Sequence, residues 1–251
     1  MLTEEEIKLM KEENERLLNL SSVKSDMVSI SAHQIRTALS AQKWIIKMFI
    51  DGDLGKLSAE QENLMHKAYE SNERAISIVS ELLLANKTEN VTEKQYAFAE
   101  VDLAELIDGS IFDFSGETHS KGIEIIFLTP KTKPPLVRGD KEKLRVVFQN
   151  ILENAIKYSN AHGKIFITLT EKDGFIETSV KDTGIGISED GKKKIFEKFY
   201  RDPGAQKKAV IGSGIGLFTI KKIVETHGGK IWFDSIDGDG TTFFFTIPIY
   251  K

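Results

Sequence analysis

The chain contains no cysteine, which excludes a disulfide framework, a thiolate metal site and a cysteine nucleophile. Proline is almost as scarce, with five residues and none before Pro130, so no proline breaks a helix over the first half of the chain. No apolar run approaches the ~20 residues that cross a bilayer, and the opening MLTEEEIK lacks the basic-then-apolar character of a signal peptide. A basic excess is missing as well. The net charge of -4 argues against a sequence-independent nucleic-acid binder, and no nucleic-acid partner is expected. At 251 residues and 40% hydrophobic, the chain has enough material for a sizeable core and for more than one domain. The expectation is a soluble, cytoplasmic chain that leaves room for a membrane tether or sensor domain outside it.

What is present divides by composition. Residues 3 to about 90 are rich in Glu, Lys, Leu, Ala and Ser, which suits long helices. Within them DGDLG, residues 51 to 55, is the only cluster of breakers and predicts a helical hairpin. From about residue 97 short β-rich runs appear (IEIIFL, KIFITLT, FIETSV, KIWF, TTFFFTI), separated by helical stretches and glycine loops. That pattern predicts an α+β or α/β sandwich of roughly 150 residues.

The first helix opens on Glu4, Glu5 and Glu6, favourable against the helix dipole. Ile7, Met10, Asn14 and Leu17 recur at three and four residues, as do Leu20, Val23, Met27 and Ile30, but the two sets are out of phase. A short dimeric coiled coil with a local change of winding fits this; so does a solvated helical extension. Further on, Val28, Ala32, Ile35, Leu39, Ile46 and Phe49 define one apolar stripe. At about 100° per residue, His33 lies roughly 140° from the stripe centre and Thr37 roughly 180°. Both are therefore expected to project outward, one turn apart, whereas a core histidine would sit on the stripe. Ile30, Trp44 and Met48 fall on the His33 side too. Exposed apolar residues beside a reactive group mark a docking surface, although a bundle burying two stripes per helix accounts for them equally well.

In the second region FQNILENAIKYS, residues 148 to 159, reads as a helix with Phe148, Ile151, Leu152, Ala155 and Ile156 on its apolar side. Asn150, Glu153, Asn154 and Lys157 share the opposite face. Two carboxamides, a carboxylate and an ammonium suit a magnesium–phosphate site. DTGIGI, residues 182 to 187, follows the strand FIETSVK, and GSGIGL, residues 212 to 217, opens the helix LFTIKKIVETHGG. A glycine-rich turn at a helix N-terminus presents N–H groups to phosphate. There is no GxxxxGK[ST] run, so this is not a P-loop.

In this order the motifs resemble the N, G1, F and G2 boxes of the Bergerat ATP-binding fold, and SAHQIRTALS, residues 31 to 40, resembles the H box of sensor histidine kinases. The resemblance covers nearly the whole chain. It implies a multidomain protein: an N-terminal coiled-coil or signalling helix (1–24), a dimerisation and phosphotransfer hairpin forming a dimeric four-helix bundle (25–90), a linker (91–96), and an α/β two-layer sandwich that binds ATP (97–251). By motif, Asp182 would accept the adenine amino group, and Asn154 with Asn150 would hold Mg2+. Lys157 and Tyr158 would contact phosphates and ribose. Gly184, Gly186 and Ile187 would line the base, and Gly212, Gly214, Gly216 and Leu217 would form the lid and its anchor. Phe196 and Phe199 match the F box, expected to pack the lid against the core. Arg201 would neutralise the terminal phosphate; Lys207 and Lys208 in the lid would either assist it or, as two loop lysines more often are, be merely solvated. Thr241 or Thr242 would lie near adenine. His33 would be the nucleophile towards the γ-phosphoryl group, and the phosphoryl group would pass to an aspartate of a response-regulator receiver domain docking near His33, Thr37, Trp44 and Met48. Thr37 matches the family position that orients water for dephosphorylating that receiver.

The sequence departs from the family in two places. The residue after the histidine is usually acidic and is here Gln34, which cannot act as a base. The proline common five residues after the histidine is Ala38, which predicts a straighter, locally stiffer helix. ATPases of the same fold carry a glutamate base four residues before the N-box asparagine, where this chain has Asn150, so hydrolysis is disfavoured as the main function. Serine kinases of the anti-sigma type lack the H-box hairpin. The alternative is a pseudokinase that binds ATP and relays signals as a scaffold without efficient phosphotransfer. His66, His119, His162 and His227 have no metal-ligand neighbours in sequence, and His227 at a helix end is expected to serve as a C-terminal charge partner.

Overall fold

A computed structural model describes residues 4–89, 95–129, 132–208 and 212–250. The chain forms two compact units, Met1–Lys87 and Thr88–Lys251. No helix among the described residues is long and apolar enough to cross a membrane.

The first unit is a helical hairpin of α1 (Glu4–Ile50) and α2 (Ala59–Glu89). With no proline to stop it, α1 runs unbroken for 47 residues through His33 and Ala38. Its end is set by Gly52 at φ +83°. The Gly52 N–H donates to the Phe49 carbonyl and the Asp53 N–H to the Met48 carbonyl, a Schellman closure that uses up the last free carbonyls. α2 begins on a reciprocal cap: the Gln61 N–H donates to Ser58 Oγ at 3.2 Å, and the Ser58 N–H to Gln61 Oε1 at 2.9 Å.

The helices meet along Ser25, Ser29, Ala32, Arg36, Leu39, Lys43, Ile46 and Ile50 of α1, and along Met65, Tyr69, Asn72, Ile76, Val79 and Leu83 of α2, all buried or half-buried. Both series alternate four and three residues, the repeat of a packed helix seam. Arg36 donates to Ser80 Oγ at 2.9 Å, Asn72 to Gln42 Oε1 at 3.2 Å, and Lys43 pairs with Glu73 at 2.8 Å. As α1 advances from Arg36 to Lys43, its partner on α2 retreats from Ser80 to Glu73, so the pairing is antiparallel and in register. This corrects one expectation: Ile35, assigned to the apolar stripe, is 50% exposed. Arg36 takes the inward position because its aliphatic stem can line the seam while its guanidinium reaches Ser80. The side chains of Ile7, Asn14 and Leu17 lie outside the described residues.

The second unit is a two-layer sandwich. Its sheet has the order β2-β4-β5-β7-β6, with β2 (Glu124–Leu128) parallel to β4 (Lys164–Lys172), and β5 (Phe175–Asp182), β7 (Gly240–Pro248) and β6 (Ile231–Ile236) added antiparallel. All five strands come from the β-rich runs. A small pair, β1 (Ala99–Val101) with β3 (Val137–Gly139), lies outside that set. Against the sheet lie α3 (Leu103–Asp113), α5 (Lys141–Tyr158) and α8 (Gly216–Thr226), with α5 touching both of the others. α5 starts on Asp140, whose side chain accepts from the Glu142 and Lys143 N–H groups. Phe148, Ile151, Leu152 and Ile156 on its inner face are fully buried against Ile165, Ile167 and Ile176 of the sheet. The short helices α4 (Ser115–Lys121), α6 (Glu189–Lys192) and α7 (Pro203–Lys208) sit in the connections.

Candidate active site

The sandwich unit gathers most of the candidate residues at one end of α5. Asp182 closes β5, is 5% exposed, and its Oδ1 accepts from the Gly184 N–H at 2.8 Å and the Thr241 N–H at 3.3 Å. Two backbone donors fix the carboxylate in one orientation, as a group that reads a ligand's donor requires. The turn after it holds Gly186 at φ +69°, where a β-carbon would strike the Ile236 carbonyl, so no other residue fits. Ile187 is buried, and its N–H donates to Ser235 Oγ at 2.9 Å. Ser235 in turn meets Thr241 Oγ1 at 2.8 Å. Thr241 therefore belongs to the Asp182 cluster. Thr242, one step along β7 and half-buried, falls on the opposite face by strand alternation.

Asn150, Asn154, Lys157 and Tyr158 lie along the half-buried face of α5. Asn150 donates its amide to the Val146 carbonyl at 3.1 Å. Its Oδ1 lies against Gly216, so closely that a β-carbon there would collide with it. α8 begins at Gly216 with no side-chain cap, which leaves its first N–H groups for an anion. Lys157 Nζ and the Arg201 guanidinium both approach the α-carbon side of Gly212, at 3.2 Å and 3.5 Å from where a β-carbon would stand. Arg201 also hydrogen-bonds Tyr158, whose phenol is held above its usual pKa chiefly by burial, with the Arg201 charge opposing. Two cations drawn to one glycine, four residues ahead of an uncapped helix, are an arrangement suited to a polyanion. The Asn150 carboxamide oxygen against Gly216, with Asn154 one turn further along the same half-buried face, suits a hard cation that also takes phosphate ligands, so the residue types present fit Mg2+ with a nucleotide. Leu217 is half-buried against the core.

The F box divides. Phe196 packs on Phe233 at 5.9 Å, as expected. Phe199 does not pack into the core: it sits at φ +68° and is 59% exposed. The left-handed turn swings its ring outward and lets its N–H donate to the Gly214 carbonyl at 2.9 Å, so backbone rather than side chain ties this box to the lid. Lys207 and Lys208 have side chains outside the described residues. Two further residues carry the geometry without having been singled out by sequence. Asp202, buried beside Arg201, accepts from the Ser188 hydroxyl, the Ser188 N–H and the Gly204 N–H. This clasp joins the loop after Gly186 to the chain that positions Arg201. The available signals were the Ser188 cap ahead of α6 and the Asp-Pro-Gly turn.

In the hairpin unit His33 and Gln34 are exposed. Thr37 Oγ1 donates to the His33 carbonyl at 3.0 Å, the ordinary local bond of a helical threonine. Ile30 and Trp44 are exposed at 61% and 65%, and Met48 is half-buried. All three lie on the side of α1 turned away from the seam with α2.

Comparison with known proteins gives two domain matches. Residues 23–90 match the His Kinase A (phospho-acceptor) domain, and residues 139–251 match the histidine kinase-, DNA gyrase B- and HSP90-like ATPase family. The chain is 33% identical over 232 residues to the sensor histidine kinase WalK of Bacillus subtilis, covering 90% of this chain and 36% of WalK. Among solved structures, full-length ShkA in complex with AMPPNP superimposes with a TM-score of 0.72 at 27% identity, covering 90% of this chain and 46% of ShkA. The catalytic domain of the histidine kinase ThkA matches at 31% identity and a TM-score of 0.53, over 61% of this chain and 95% of that domain. The chain spans between about a third and about two thirds of the length of the curated relatives it matches.

Proposed function

The chain belongs to the sensor histidine kinase family, and we propose that it autophosphorylates His33 from ATP and passes the phosphoryl group to an aspartate of a response-regulator receiver domain. The observation that carries this reading is the convergence of Lys157 and Arg201 on Gly212, four residues ahead of the uncapped start of α8 at Gly216, in a chain whose other unit exposes His33.

Asp182 accepts from the adenine amino group, with Gly184, Gly186, Ile187 and Thr241 around the base. Lys157, Tyr158, Arg201 and the Gly212–Gly216 lid hold the phosphates. Asn154 and Asn150 hold Mg2+, which supplies charge neutralisation at the phosphate oxygens. A neutral imidazole nitrogen of His33 attacks the γ-phosphorus in line, the bond to the β–γ bridging oxygen breaks, and ADP leaves. The proton on the other nitrogen of the attacking imidazole goes to water, because Gln34 is no base; the Gln34 carbonyl orients the ring. Rate enhancement rests on positioning and on Arg201 facing the developing charge. The same face, with Thr37 orienting water, dephosphorylates the receiver, which docks near Trp44 and Met48. A homodimer forms through residues 25–90, residues 1–24 carry the incoming signal, residues 91–96 link the hairpin to the ATP-binding domain at 97–251, and the chain acts in the cytoplasm.

Incubation with γ-labelled ATP and Mg2+ tests this. Acid-labile label is expected on the wild type and absent from His33→Ala and Asp182→Asn, with nucleotide affinity retained only in His33→Ala. Gln34 favours the second reading, a signalling scaffold, and nucleotide binding with no label in the wild type would establish it.

A further inference from the structure

The turn that follows α5 faces two ways. On one side Ser159 is bridged to Gly184, and the Tyr158 carbonyl accepts from the Ile185 N–H at 3.3 Å, so it supports the loop carrying Gly184 and Gly186. On the other side residues 159–162 line a cavity of about 350 Å3 whose opposite wall is residues 119–123, the end of α4 and its exit.

Three features of this cavity go unused by phosphotransfer. Its lining carries His119, Lys121 and His162 and no carboxylate. Lys121 does pair with Glu117 at 2.8 Å, but an ammonium has three donors. Ser159 is buried, and its Oγ has no hydrogen-bond partner, a condition that folded proteins rarely leave unrelieved. His162 holds φ +58°, a left-handed conformation disfavoured for any residue with a β-carbon. Asp173, with a similar φ, precedes Gly174 in the β4–β5 hairpin turn, where positive φ is what the turn demands. His162 stands at the third position of a β-turn, closed by the Gly163 N–H donating to the Asn160 carbonyl at 3.0 Å, a position that glycine fills without strain. Its N–H donates to the Lys121 carbonyl at 3.2 Å, and its ring lies over Gly122, where a β-carbon would stand 2.5 Å from Nδ1. Backbone strain is thus spent on keeping an imidazole at a position that suits glycine.

We infer that this cavity binds a small oxoanion, a carboxylate or phosphate group. The imidazoles of His119 and His162 supply ring N–H donors, Lys121 supplies charge, and the Ser159 hydroxyl supplies a further donor from the wall. Because Ser159 is bridged to Gly184, the bound anion bears on the turn that supports the base-binding loop. This inference does not rest on the phosphotransfer reading.

Inorganic phosphate and acetate, titrated separately into the full chain at constant ionic strength, test it through the ring NMR signals of the histidines. Saturable shifts are expected at His119 and His162 but not at His33 or His66, with a dissociation constant on the order of 1 mM or tighter for at least one anion. Response to phosphate alone assigns a phosphate ligand, and response to acetate alone a carboxylate. His162→Gly suits the local backbone, so misfolding does not confuse the result; it is expected to weaken binding about tenfold, and Ser159→Ala less. Unsaturable shifts, equal shifts at all four histidines, or unchanged affinity in His162→Gly overturn the proposal.

Discussion

The hairpin and the sandwich bury themselves in opposite ways. Among the described residues of the hairpin only Ala32, Asn72 and Leu83 are buried, and one of these is polar. Ile30, Ile35, Trp44, Ile45, Leu64 and Ile78 face outward. The sandwich encloses Phe148, Ile151, Leu152, Ile156, Ile165, Ile167, Ile176 and Phe245 almost completely. Two amphipathic helices can cover only one stripe of each other, whereas a sheet capped by three helices closes a core by itself. The sandwich closes its own core, whereas the described residues of the hairpin leave large apolar side chains uncovered, which agrees with the proposed dimer.

The sharpest break of that contrast is a pair of truncations. Ile151→Ala leaves a void in a core already closed and is expected to destabilise the sandwich by about 2–5 kcal/mol. Ile35→Ala removes a side chain that the isolated hairpin leaves half exposed, so an effect approaching that of Ile151→Ala would mean that a second copy covers Ile35. Denaturant midpoints of the two variants decide it. Next in size is Gln34→Glu. In the proposed reaction the hairpin supplies the nucleophile and the sandwich holds the nucleotide, so placing a base beside His33 is expected to raise autophosphorylation about tenfold or more, at unchanged nucleotide affinity. An unchanged or lower rate would show that proton removal does not limit the reaction. Smaller again is the effect of dilution. If the hairpin is completed by a second copy, each tenfold dilution costs its folding about 1.4 kcal/mol, while the sandwich is indifferent. Circular dichroism melts at several concentrations separate the two; a concentration-independent hairpin transition would remove the comparison's premise.

The two units also differ in how far they could be read in advance. In the sandwich, alternating burial along β4 and β5 follows alternating apolar residues, so all five sheet strands were legible. β1 and β3 were not, because three residues are too few to establish a period. The glycine boxes were legible because Gly186 and Gly214 stand where no side chain fits. The Asp202–Ser188 clasp joins residues 14 apart through a fold-dependent approach, and nothing in Phe199 announces a left-handed backbone. In the hairpin the true seam of α1 includes Ser25, Ser29, Arg36 and Lys43. Hydrophobicity alone therefore selected the exposed Ile35, and the outward direction of His33 survived because both stripes share Ala32, Leu39 and Ile46.

His227 gives the smallest test, and it corrects the expectation of a charged helix-end histidine. It is 2% exposed, edge-on to Tyr96 and Phe98. Nδ1 lies 2.8 Å from the Ile223 carbonyl, so Nδ1 must carry the proton; Nε2 accepts from the Asp140 N–H at 3.0 Å. Both nitrogens are satisfied only in the neutral ring, since a second proton would turn Nε2 into a donor facing a donor. Burial, the largest influence, lowers the pKa, with Arg138 adding to it and the Ile223 carbonyl and Asp140 opposing. A folded-state pKa below the unfolded value means that the unfolded chain binds the extra proton first. The contribution to stability is then complete above about pH 6.5 and is lost as pH falls towards the folded-state value. The sandwich's urea midpoint should therefore drop between pH 8 and pH 5 by more in the wild type than in His227→Gln. Equal drops would place the pH sensitivity elsewhere in the sandwich.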